Sequence, residues 1–130
     1  MTFTSTLLRP GLLIALLFAV AFMEVNSSEL VDAAKQQEWE SVHSLINQNS
    51  DINLAQADGT TALAWAAYWD ELKTAELLVQ AGADVNVGNY IGVTPLILAT
   101  RNRNTDMVAL LLNAGADANQ ALWSGETPLM

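Results

Sequence analysis

One imidazole, His43, is all that the sequence offers for acid–base work near neutral pH. Ser-His-Asp or Cys-His catalysis needs a histidine with placed partners, and no such constellation can be assembled from a single one. His43 is therefore expected to be a solvated residue on the outer side of a helix. There is no cysteine, which removes disulfides, thiolate nucleophiles and Cys-ligated metals together and fits an oxidising compartment. Asp51, Asp84 and Asp117 each open an Asp-x-Asn triplet, whose ordinary work is turn hydrogen bonding. A calcium loop needs several convergent oxygens within one loop, and no loop supplies them. The glycine-containing loops match neither a phosphate-binding P-loop nor a dinucleotide fingerprint. Catalytic residues, cofactors and metals are all expected to be absent. Asn26-Ser27-Ser28 matches a glycosylation acceptor.

Charge narrows the partner. The formal charge is −9, from 14 acidic and five basic residues. Phosphate neutralisation needs clustered Lys and Arg, so nucleic acid is excluded as the expected partner and an anionic membrane surface is disfavoured. A basic protein or peptide is favoured by electrostatic steering, although acidity also serves solubility alone.

The positions that recur point to the elements that carry them. Gly59, Gly92 and Gly125 fall every 33 residues, as do Thr61, Thr94 and Thr127, and Leu63, Leu96 and Leu129. Gly82 and Gly115 keep the same step, and so do the Asp-x-Asn triplets. A fixed period of this length signals a repeat architecture. Thr94-Pro95-Leu96 starts a helix, with Thr capping free N–H groups and Pro at the first helical position. The small residues Ala66-Ala67 and Ala99-Thr100 allow close helix approach. A second helix follows in each unit, carrying Leu72, Ala75, Leu78 and Val79, then Met107, Val108, Leu111 and Leu112, at i, i+3, i+4 spacing. Gly82 and Gly115 end those helices in a left-handed conformation. Gly59 and Gly92 mark turns of an extended hairpin loop.

The segments DGTTALAWAAYWDELKTAELLVQAGADVN and IGVTPLILATRNRNTDMVALLLNAGADAN resemble ankyrin repeats. The resemblance covers about residues 28–130 and implies an all-α solenoid of stacked helix-turn-helix units with hairpin loops. Residues 28–56 read as a divergent, more polar first repeat, suited to capping an array, with Trp39 expected in the core. Repeat two spans 57–89, repeat three 90–122, and residues 123–130 open a truncated fourth. Such an end leaves the apolar face of repeat three bare, so a longer protein or another covering element is expected. The family usually carries His after T-P-L, for hydrogen bonds between repeats. Ala64 and Ile97 stand there instead, and that network is expected to be missing.

The N-terminus reads as an address. Residues 1–10 hold one positive charge, Arg9; 11–21, GLLIALLFAVA, are apolar; Ala19-Val20-Ala21 is an A-x-A cleavage match. This order is that of a secretory signal peptide, spanning 1–21 or, with cleavage after Val25-Asn26-Ser27, reaching 27. The apolar run extends at most to Met23, short of the ~20 residues of a membrane span. The expected location is periplasmic or secreted; an uncleaved anchor over 11–23 is the alternative.

Ankyrin arrays usually bind partners on a concave face made by hairpin tips and inner helices. Carried over residue by residue, the resemblance implies a partner-binding set of Asp58, Trp65, Tyr68, Trp69, Tyr90, Ile91, Arg101 and Trp123, with Thr60, Val93 and Asn102 beside them. The set is rich in aromatic residues, which dominate binding hot spots. Trp65 is also placed to pack between repeats, and Tyr68 and Trp69 to cover the neighbouring hairpin. The leading expectation is a non-catalytic, exported protein–protein interaction module. A membrane-tethered scaffold and the ankyrin part of a longer enzyme are the alternatives.

Overall fold

Residues 28–48 and 50–120 are described by a computed structural model. The expected signal peptide, the opening of a fourth repeat and Trp123 lie outside the described residues. Among the described residues there are six helices and no strand: α1 (Glu29–Lys35), α2 (Trp39–Asn47), α3 (Ala62–Tyr68), α4 (Leu72–Gln80), α5 (Pro95–Arg101) and α6 (Thr105–Asn113). They form three antiparallel pairs. The first helices stack in the order α1, α3, α5, and the second helices in the order α2, α4, α6. The 33-residue period is thus a stack of helix pairs, each packing only on its neighbours.

The local chemistry sets where each helix begins and ends. Thr61 Oγ1 accepts the Ala64 N–H, and Thr94 Oγ1 accepts the Ile97 N–H, both at 3.3 Å. Pro95 follows Thr94 at the first helical position. Gly82 and Gly115 lie just past α4 and α6 with φ of 98° and 96°. At the end of α4 the Ala83 N–H reaches back to Leu78 O at 2.9 Å, the long bond of a glycine-terminated helix. The turn inside each pair repeats as strictly, at Gln37, Asp70 and Arg103, with φ of 62°, 59° and 57°. These left-handed residues, 33 apart, are not glycine, so residue type alone did not mark them.

Small side chains let the first helices approach closely: Ala34, Ala66, Ala67 and Ala99 are fully buried. Leu63, Leu78, Leu96, Met107 and Leu111 fill the layer between first and second helices. Each such side chain contributes roughly 1.5–3 kcal/mol by leaving water. Trp39 is half-buried against this core, as is Trp65. Leu112 departs from the expected apolar stripe, at 38 % exposed; it lies on α6, the last described helix of its stack.

His43 is corrected by the structure. It is half-buried rather than solvated, and its Nε2 lies 2.8 Å from Oγ1 of the fully buried Thr74. That contact joins α2 to α4. Among the described residues no helix is long and apolar enough to cross a membrane.

Candidate protein-binding surface

Helix α3 exposes its aromatic residues because its other face is committed to packing. Ala62, Leu63, Ala66 and Ala67 are buried, which turns Trp65, Tyr68 and Trp69 toward the hairpin side. Trp65 is held in place by a chain of side chains. Its Nε1 donates to Gln56 Oε1 at 3.0 Å, and Gln56 Nε2 donates to Asp32 Oδ1 at 3.0 Å. The Lys35 ammonium lies 5.9 Å from the Trp65 ring centroid, within cation–π range. Tyr68 meets Trp65 edge-on at 5.5 Å and Trp69 edge-on at 4.8 Å.

The two hairpin loops share one geometry. The Gln56 N–H donates to Thr60 O at 2.9 Å, and 33 residues later the Asn89 N–H donates to Val93 O at 3.0 Å. The loops are joined where the Tyr90 N–H donates to Asp58 O at 2.9 Å. Asp58 Oδ1 accepts the Thr60 N–H at 2.9 Å. This backbone bond, and next the Thr60 hydroxyl, hold the Asp58 carboxyl below its ordinary range; Lys35 pulls the same way and slight burial opposes. Asp58 is therefore a fixed negative charge at neutral pH.

Four of the expected residues converge. Asp58, Trp65, Tyr68 and Arg101 line one cavity of about 290 Å³ between the second and third helix pairs. Its remaining wall is Thr60, Ala64, Asn89, Val93 and Leu98. Trp69 meets Tyr68 edge-on but does not line the cavity. Tyr90 and Ile91 stand on the hairpin tip, at 69 % and 61 % exposed, also outside the lining. Asn102 is occupied elsewhere: its Nδ2 donates to Tyr68 O at 2.9 Å and to Asp70 Oδ1 at 3.1 Å, tying α5 to the end of α3.

Asn89 and Leu98 were not among the expected surface residues. Leu98 is the 33-step counterpart of Trp65 and Arg101 that of Tyr68, so the period itself could have supplied the pairing. Ala64, marked only as a departure from the usual His, also lines the cavity.

The cavity lining sets one carboxylate and one guanidinium among aromatic and aliphatic side chains. His43 belongs to the second helices, away from the cavity lining. No group of three or more His, Cys, Asp or Glu that could hold a metal is found among the described residues.

Stacked helix pairs, the second and third opened by capping threonines and joined through their hairpin loops, define a repeat solenoid. The family model for ankyrin repeats, in three copies, matches residues 30–121, and the chain belongs to the ankyrin-repeat family. None of the curated proteins compared with the chain matches it. Ankyrin repeats are generally protein–protein interaction modules and typically non-catalytic.

Proposed function

We propose that this chain is an exported, non-catalytic module that holds another protein against the face made by α3, α5 and their hairpins. The observation that carries this reading is the convergence of Asp58, Trp65, Tyr68 and Arg101 on one cavity, beside exposed Trp69, Tyr90 and Ile91. Such a face combines aromatic area, one fixed carboxylate and one guanidinium, the composition of an interface rather than of a solvated surface. Trp123 belongs to the proposed surface on the resemblance alone. Export rests on the N-terminal order of charge, apolar run and small residues.

A photo-crosslinking amino acid placed at position 90 in the native cells, followed by mass spectrometry, tests the face. A discrete adduct that disappears with Trp69→Ala supports it. Adducts only from position 76, where Glu76 is exposed on α4, transfer binding to the opposite side and refute it. N-terminal sequencing of the mature chain tests export. A new terminus near residue 22 or 28 supports a cleaved signal, whereas an intact residue 1 in the membrane fraction favours the anchor.

A further inference from the structure

The hairpin face carries two neighbouring depressions of different chemistry, and Asp58 borders both. Between the second and third helix pairs lies the 290 Å³ cavity, walled by Trp65, Tyr68, Val93 and Leu98. Ala64 forms part of its wall. The equivalent position of the third unit, 33 residues on, carries Ile97, buried to the same degree. Between the first and second pairs lies a shallower depression of about 430 Å³, lined by Asp32, Lys35, Gln56 and Asp58. There two carboxylates face one ammonium.

We infer that the occupant of this face is an extended segment of a partner protein that seats one large apolar side chain in the Ala64 cavity and lays a lysine or arginine over Asp32 and Asp58. This deepens the proposed function and rests on it. Charge complementarity selects the basic residue, since the second depression has an excess carboxylate and the whole chain carries −9. Shape and lining select the apolar one: 290 Å³ holds an aromatic or long aliphatic side chain. The spacing follows from the stack. Packed helices lie about 8–10 Å apart and an extended chain advances about 3.3–3.6 Å per residue. The two anchors are therefore about three residues apart.

The experiment selects peptides from a displayed random dodecapeptide library on the full chain, then measures synthetic copies by calorimetry against two variants. Ala64→Ile fills the cavity with the side chain that the third unit already accommodates. Asp58→Asn removes the charge and keeps the acceptor for Thr60. Enriched peptides carry an aromatic or large aliphatic residue with Lys or Arg about three positions away. Ala64→Ile weakens them roughly tenfold or more, the loss of one buried apolar side chain. Asp58→Asn weakens them only while their basic residue is present. Leu98→Trp, which fills the cavity from the other wall, repeats the first test if Ala64→Ile fails to fold.

Four outcomes overturn the inference. They are acidic enriched peptides; binding that ignores both cavity-filling variants; a dimer that Ala64→Ile dissociates, which makes a second copy the occupant; and no enriched peptide at all. A position-90 crosslink that persists alongside any of them leaves the docking face standing and removes only the stated occupant.

Discussion

Asn53 Oδ1 accepts the backbone N–H of Asp84 at 2.7 Å, and the same side chain donates from Nδ2 to Gly82 O at 3.1 Å. Asn86 repeats both bonds one unit later, to the Asp117 N–H at 2.7 Å and to Gly115 O at 3.1 Å. Each asparagine clamps the loop that follows the next unit's second helix. The aspartates play the turn role expected of them: Asp84 Oδ1 accepts the Asn86 N–H at 2.9 Å, and Asp117 Oδ1 accepts the Asn119 N–H at 2.8 Å. The triplet therefore closes its own turn with Asp and ties to its neighbour with Asn.

Asn86→Ala removes two exposed bonds, each contributing about 0.5–1.5 kcal/mol. The expected cost is about 1–2 kcal/mol, read as a lowered urea midpoint by circular dichroism with an unchanged m-value. A midpoint equal to that of the unmodified chain would show that water replaces the clamp without loss.

The sequence made the unit visible and hid most of the seams. Thr61, Thr94, Pro95, Gly82 and Gly115 act on backbone within a few residues of themselves, so their types and spacing announced helix starts and stops. The clamps of Asn53 and Asn86 reach 29 and 31 positions along the chain, and a bond of that length leaves no local pattern. Asn102 was expected on the surface for the same reason, since its partners Tyr68 O and Asp70 Oδ1 belong to the preceding unit. The candidate site was half legible. Trp65, Tyr68 and Arg101 came with the resemblance, but Asn89 and Leu98 share the cavity wall through contacts between units, which leave no local pattern.

The His43–Thr74 contact makes a second prediction. Thr74 is fully buried, and among the described residues its hydroxyl has, besides His43, only Glu71 Oε1, at 3.4 Å. His43→Ala leaves that hydroxyl poorly satisfied and is expected to cost about 1–3 kcal/mol. Adding Thr74→Val should recover part of the loss, because removing both partners leaves no orphan. A double variant less stable than His43→Ala by the full cost of Thr74→Val would show that the two side chains act independently.

Two glycines with similar positive φ separate conformational cost from crowding. Gly59 and Gly82 have φ of 86° and 98°, so alanine at either site pays about 1–2 kcal/mol for the left-handed region. At Gly82 an added Cβ meets nothing within 4 Å, whereas at Gly59 it lies 3.1 Å from Asn89 Cα and 3.4 Å from the Tyr90 ring. Gly59→Ala should therefore destabilise by about 1 kcal/mol more than Gly82→Ala. It should also weaken any partner that crosslinks from position 90, because Tyr90 must move. Equal thermal shifts for the two variants would contradict the close packing of the hairpins.

Asp58 predicts a pH signature. Its folded carboxyl titrates below the ordinary value, first through the Thr60 backbone N–H and then through the Thr60 hydroxyl. A depressed folded-state pKa means that the unfolded chain takes up the proton first. The contribution to stability is present above the unfolded value of about 3.9 and is lost as pH falls through the folded one. Asp58→Asn keeps an oxygen for the Thr60 N–H and removes the titration. The stability gap between the two proteins should be constant from neutrality down to about pH 5 and shrink below about pH 4. Urea midpoints across that range measure it, and a carboxyl-carbon titration by NMR locates the group. A gap that persists unchanged well below the unfolded value would mean that the carboxylate's charge contributes nothing to the turn. The hydrogen bond to Thr60 would then be the whole of its structural role, leaving the charge free to act on a partner.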